Sequence, residues 1–310
     1  LKTIELLNYF KSENKNFFLT VGFQKPHLPF TPPKKYWDLY DRDKIILSEF
    51  QERSKGSPQE AYHQSGELRN YHDAEPSMDS DGIVNQDKQR ELIHGYMASV
   101  SYIDAQVGII LNHLNSIGLD RNTIVVFFGD HGFHLGDHGL WNKHSNFEEA
   151  TRTPLIIKSP GIDGGFINES PVELLDLFPT LCDLAEIPSP EDLDGVSLLP
   201  ILQKKSEVLK DFAISQYPRR CNVMRSVIGR YPEDCTMMGY AVRNENYRYV
   251  AWVSGNFEDR SDFSKDEILM EELYDYERDP LETISFASDP SYKKIKDDMI
   301  RDLRSVIWSK

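Results

Sequence analysis

Residues 125–156 read VVFFGDHGFHLGDHGLWNKHSNFEEATRTPLI. An apolar run ends abruptly in Gly-Asp-His-Gly, and the same tetrapeptide returns at 136–139. Four of the nine histidines, His131, His134, His138 and His144, fall within fourteen residues. Adjacent Asp130 and His131 can offer a carboxylate oxygen and an imidazole nitrogen to one cation, a mixed donor set that suits several divalent metals. Gly129 and Gly132 let the chain turn sharply around them. Lys143, further along the same loop, can bring a positive charge to the same cleft. The competing reading is that Asp130 caps a turn and the histidines decorate the surface. Two such units after one strand shift the balance toward a site. His27, in KPHLPF, is a second candidate: prolines on either side fix it, as an anion-contacting imidazole requires. A packed or solvent-facing histidine is the competing reading there.

These residues need elements to hold them. TIVVFFGD (123–130) reads as a buried strand, and NFFLTVGF (16–23) as another. Leu92, Tyr96, Val100, Ile103, Val107, Ile110 and Leu114 recur at three- and four-residue steps, which predicts an amphipathic helix, with Gly118 as its left-handed stop. TPLIIKSPG (153–161) adds a strand. SPVELLDLFPTLCDLAEI adds a helix opened by a capping box at Ser170 and Glu173 and kinked at Pro179. Helix alternating with strand implies a mostly parallel sheet with helices on both faces, and ligands of such sheets bind beyond the strand ends. Residues 42–88 form an irregular insertion. After residue 205 the pattern changes. MGYAVRNENYRYVAWV (238–253) reads as a hairpin turning at Asn244, ELYDYERDP (272–280) as a third strand, and Ile295, Met299, Leu303 and Val306 as a final helix. The chain therefore divides into 1–205, part of a large α/β unit, and 206–310, a smaller antiparallel sheet with one helix.

Composition narrows the function. The 310 residues carry a net charge of −15, which argues against nucleic acid as a partner and means that local cations or a metal must hold any anionic ligand. No apolar run reaches the roughly 18 residues of a membrane span. Of the three cysteines, Cys182 lies in an apolar helical run and reads as a buried small hydrophobe. The spacing of Cys221 and Cys235 leaves a disulfide open. Asn168, in NES, fits a glycosylation acceptor.

The order GFQKPHLPF, YMASVSYIDAQVG, the loop of 125–156, VELLDLFPTLCDLAEI, DGVSLLPIL and ELYDYERDP resembles the type I sulfatases of the alkaline-phosphatase superfamily. GFQKPHLPF, WNKHSNF with SQYPR (215–219), and MGYAVRNENYRYVAWV are similar to the branch that removes 2-O-sulfate from iduronate residues of heparan and dermatan sulfate. The resemblance implies one Ca²⁺ held partly by Asp130 and His131, sulfate contacts from Lys143 and His27, a supporting role for His138, and lysosomal, secreted or periplasmic placement. It implies a sulfated glycosaminoglycan or a small sulfate ester as substrate. It also implies an Asp-Asp metal pair and a C-x-P-x-R segment whose Cys becomes the formylglycine nucleophile, and neither occurs here. CNVMR (221–225) has Val223 in place of the proline and lies in the wrong half. The expectation is an N-terminally truncated chain, inactive alone. A sulfated uronate also carries a carboxylate, which needs its own cation. Arg219 offers a planar fork for it, against the reading of a surface arginine. Rival functions are a sulfatase of other specificity, a phosphodiesterase or phosphonate hydrolase of the same superfamily, and a sulfated-glycan binding module without turnover.

Overall fold

A computed structural model describes residues 2–74, 77–78, 83–220, 236–254 and 268–307. Cys221, Cys235 and the CNVMR stretch lie outside them. Compactness does not follow a single cut in the chain near residue 205. One unit comprises 1–49, 66–127 and 155–162, and the other 50–65, 128–154 and 163–310.

In the first unit the predicted amphipathic helix spans Gln86–Ser116, one turn and more longer than its apolar periodicity. Asn85 starts it by accepting the Lys88 amide at 3.0 Å, an N-cap that satisfies an otherwise orphaned donor. Gly118, at φ +71°, ends it. Its last turns pack Ile110 and Leu114 against Leu7 of the helix Lys2–Ser12, with Phe17, Leu19 and Val125 beside them. Residues 16–23 are not a strand. The segment has no ladder partner among the described residues; Phe17 and Leu19 pack, while Phe18 is 82% exposed. The strand β1, Val125–Phe128, pairs with β4, Leu155–Lys158. It is less buried than its composition predicts, with Phe127 and Phe128 exposed.

The second unit is built on a four-stranded antiparallel sheet in the order β5 (Ala213–Arg220), β6 (Thr236–Arg243), β7 (Tyr247–Ser254), β8 (Ile268–Asp275). The hairpin turns where Asn244 Oδ1 accepts the Tyr247 amide at 2.8 Å. Both faces are covered. Met238, Tyr240, Val242, Tyr249 and Val253 pack on Met299 and Leu303 of the helix Lys293–Ile307. On the other face, Ala241, Val250, Trp252 and Tyr274 meet Leu140 and Phe147 of the histidine-rich loop. Each such fully buried apolar side chain contributes about 1.5–3 kcal/mol. The sheet is thus the floor on which the loop rests. The expected helix of 170–187 begins later, as Leu177–Leu184. The capping box is formed by Glu173 and Asp176 rather than Ser170, and Pro179 falls in the first turn, where it has no intrahelical partner to lose and forces no kink. Cys182 is buried and free.

Candidate functional site

β1 delivers the chain into a turn that only glycine permits. The Gly129 amide donates to Pro154 O at 3.1 Å, and a Cβ on Gly132 would lie 2.0 Å from the Glu149 carbonyl oxygen. The turn presents Asp130 outward, its side chain 87% exposed, with His131 32% exposed beside it. His131 Nδ1 is 2.7 Å from Gly132 O. A carbonyl can only accept, so Nδ1 carries the hydrogen and the neutral ring offers a lone pair at Nε2. That nitrogen is 3.7 Å from Asp130 Oδ2. Two accepting atoms, one oxygen and one nitrogen, side by side on a rigid turn, fit a divalent cation.

The chain then folds back on itself. β2 (His134–Leu135) pairs with β3 (Trp141–Asn142), with His134 opposite Asn142. Lys143 follows directly on β3, after Asn142. Between the two strands lies the second Gly-Asp-His-Gly, with Gly136 and Gly139 at φ +105° and +70°. It points inward. His138 is 3% exposed, stacks on Phe147 with ring centroids 4.2 Å apart, and its backbone amide donates to Phe50 O at 3.0 Å. His134 is wholly buried. Its Nδ1 meets Asp137 and its Nε2 lies 2.7 Å from Ser145 Oγ. Burial, then the nearby carboxylates Asp137 and Glu282, push Glu149 up to about 7.

His27 belongs to the first unit. Its Nδ1 donates to Leu28 O at 2.8 Å and its Nε2 lies 2.8 Å from Glu67 Oε1. The proline-framed imidazole therefore already has an anion for a partner, a carboxylate that the sequence did not announce. Arg219 departs from its expected role. Its Nε donates to Glu60 O at 2.9 Å, Nη1 to Pro218 O at 3.2 Å, and Nη2 to His144 O at 2.5 Å and Ala61 O at 3.5 Å. Four of the roughly five N–H groups of a guanidinium are thus committed to backbone carbonyls. The fork clamps residues 60–61 to the loop at 144 and is not open to a carboxylate. Sequence reasoning missed Glu67, Glu149 and Glu282. The only advance signal was the paired acids of NFEEATR.

Comparison with known proteins identifies the family. Residues 2–187 match the family described as Sulfatase, and residues 136–308 match the C-terminal region of N-sulphoglucosamine sulphohydrolase. Iduronate 2-sulfatase of Mus musculus is 33% identical over 341 residues, covering 94% of this chain and 61% of its own length. The chain thus spans about three fifths of that relative. Among solved structures, an enzyme in complex with its substrate D-glucosamine-2-N,6-O-disulfate superposes with a TM-score of 0.74 at 20% identity, over 98% of this chain and 68% of its own. The phosphonate monoester hydrolase of Agrobacterium radiobacter gives 0.71 at 21%, over 98% and 60%. The fold is that of the alkaline-phosphatase-like sulfatases, and the chain belongs to the sulfatase family.

Proposed function

We propose that the protein carrying this chain is a sulfuric ester hydrolase that removes 2-O-sulfate from uronate residues of sulfated glycosaminoglycans. The observation that supports it most is the Asp130–His131 pair, Oδ2 and Nε2 3.7 Å apart at the end of β1, in a chain 33% identical to iduronate 2-sulfatase. Calcium is the proposed cation, and when bound it would offset negative charge developing on the sulfate oxygens. Asp130 supplies charge and His131 direction, since its Nδ1–H bond to Gly132 O fixes the ring. Lys143 adds a point charge for a sulfate oxygen, delivered by the β2–β3 hairpin. His27 is proposed as a donor to an ester or sulfate oxygen; with Nδ1 committed to Leu28 O, that donor must be Nε2, released from Glu67. The nucleophile is expected to be a formylglycine outside this chain. Lysosomal, secreted or periplasmic placement goes with the same reading.

The test is a panel of sulfated uronates, sulfated glucosamines, aryl sulfates and phosphonate esters on the full-length protein. A kcat/KM highest for the 2-sulfated uronate supports the reading, and a preference for phosphonate esters overturns it. Asp130→Ala should lower calcium affinity and turnover together. Partners of ligands are worth about 10–100-fold, so loss of a ligand itself should exceed about tenfold. Unchanged calcium affinity in that variant removes Asp130 from the metal.

A further inference from the structure

Beneath the exposed turn, His138, Glu149 and Glu282 bring one ligand atom each within 4.8 Å of one another. The hydrogens around them can be assigned by elimination. Ser54 Oγ lies 2.5 Å from Glu282 O, a carbonyl that can only accept, so the single hydroxyl hydrogen goes there. Ser54 Oγ also lies 3.3 Å from His138 Nδ1 and at that contact can only accept. Nδ1 therefore carries a hydrogen. Burial keeps the His138 ring neutral down to about 4, so Nε2 presents a lone pair. It faces Glu282 Oε2 at 4.0 Å, beyond hydrogen-bond reach.

While ionised, the two carboxylates do not supply the missing hydrogen. Glu282 Oε1 is saturated by Arg248 Nε at 2.6 Å and Tyr276 OH at 2.5 Å. Among the described residues, Oε2 receives the Glu148 amide at 3.3 Å. Glu149 Oε2 is fully buried and has no hydrogen-bond partner among the described residues. Three accepting atoms thus converge where side chains are desolvated, and His138 and Glu282 are 3% and 1% exposed. Glu149 also stands within 4.8 Å of a second pair, His134 and Asp137. The buried Arg248 guanidinium is shared by Glu282 and Glu272, whereas Glu149 lies among the carboxylates Asp137 and Glu282. An unpaired desolvated acceptor costs about 1–3 kcal/mol, which either a proton on Glu149 or a cation would offset.

We propose that His138, Glu149 and Glu282 form a buried site for a borderline divalent cation of the Zn²⁺ class. Imidazole with carboxylate and a small coordination number suits zinc. Calcium, which takes about 6–8 oxygen ligands, does not fit so few donors. The Ser54 contact to Nδ1 is the outer hydrogen bond that such a histidine ligand normally makes. A cation here would brace the second Gly-Asp-His-Gly against the turn after β8, beneath the turn that carries Asp130.

The experiment uses the full-length protein without a polyhistidine tag, stripped of metal and dialysed separately against Ca²⁺ and Zn²⁺. Elemental analysis should find a stoichiometric equivalent of zinc that excess calcium does not displace, and zinc should raise the melting temperature of the stripped protein. Glu149→Gln, which keeps the shape, should abolish both effects and retain calcium. Asp130→Ala should do the reverse, so failure of the sulfate-ester reading and failure of this one are separable. The proposal is overturned if the stripped parent takes up no zinc. It is equally overturned if Glu149→Gln binds zinc as the parent does. If zinc is not taken up and Glu149→Gln is as stable as the parent, the third position holds a proton.

Discussion

Residues 129–132 and 136–139 carry the same four amino acids, yet the Asp130 side chain is 87% exposed and that of Asp137 16%. The His131 ring is 32% exposed and the His138 ring 1%. The glycines differ in the same way. Gly129 and Gly132 are required because neighbouring atoms leave no room for a Cβ, whereas Gly136 and Gly139 are required by positive φ. A tetrapeptide specifies a tight turn and two donors. Whether the donors face ligand or protein is decided by what packs against the turn. Phe50, Ser54 and Phe147 enclose the second unit, whereas the Asp130 side chain stands 87% exposed. One turn is therefore available for chemistry while the other holds the loop to the sheet.

The contrast breaks most severely at Glu282, which joins Arg248, Tyr276 and the Glu148 amide around the second unit. Glu282→Ala removes the carboxylate that pairs with Arg248 Nε, and breaking such a buried pair costs about 3–5 kcal/mol. Denaturant unfolding of the full-length protein should show that loss. A change under about 1 kcal/mol would mean that the pair is dispensable. Next comes Gly132→Ala. Its Cβ would sit 2.0 Å from Glu149 O and 2.5 Å from Arg152 O, both backbone atoms that cannot rotate away. Overpacking of this kind costs about 1–3 kcal/mol, and it should lower calcium affinity as well, because the turn carrying Asp130 must shift. Gly139→Ala should be destabilising through φ alone and leave calcium affinity intact. Equal effects of the two alanines on calcium would erase the distinction between the units.

Acid tests the buried side from a different direction. His63 Nδ1 accepts the Ser65 amide at 2.9 Å, so its hydrogen is on Nε2, which is buried without a partner. Burial first, then the Arg219 guanidinium, lowers His63 from 6.5 to about 3. Between those values the unfolded chain binds a proton that the folded chain refuses. Stability therefore falls as pH drops from about 6.5 toward 3, with a slope of at most about 1.4 kcal/mol per pH unit from this residue. His63→Gln should flatten the dependence of unfolding free energy on pH between about 6 and 4 by up to that amount. An unchanged slope would show that His63 titrates normally in the fold.

Much of this was legible from the residues. The long helix follows from the spacing of Leu92 to Leu114, because burial of one face repeats with the helical period. Gly118 marks its end for steric reasons. The Asp130–His131 pair is visible because adjacent donors on a turn need no tertiary information. Segment 16–23 shows the limit: apolar residues can promise a strand, but a strand also needs an edge to pair with. β5 was hidden by Pro218, which an edge position tolerates because no ladder bond is asked of its nitrogen. Glu67, Glu149 and Glu282 were invisible as site residues, since each acquires its meaning from a partner distant in the chain, brought near only by packing.

The smallest expected effect concerns Arg219, and it separates clamp from ligand. The planar guanidinium reaches Glu60 O, Ala61 O and His144 O together and lies over the Tyr217 ring at 4.5 Å. His144 follows Lys143 directly, and its Nδ1 lies 2.6 Å from Tyr217 OH. Arg219 thus holds the segment that carries the proposed sulfate contact. A lysine keeps the charge but cannot reach three carbonyls from one nitrogen, so Arg219→Lys should lose part of the clamp. Individual hydrogen bonds contribute about 0.5–1.5 kcal/mol net. A destabilisation near 1 kcal/mol is therefore expected, with a modest fall in kcat/KM. The fall should be the same for a 2-sulfated uronate and for a neutral aryl sulfate, because the position of Lys143 matters equally to both. If only the uronate suffers, by about 1–3 kcal/mol in kcat/KM, the guanidinium reads the carboxylate after all. In that case the carbonyl contacts must open when substrate binds.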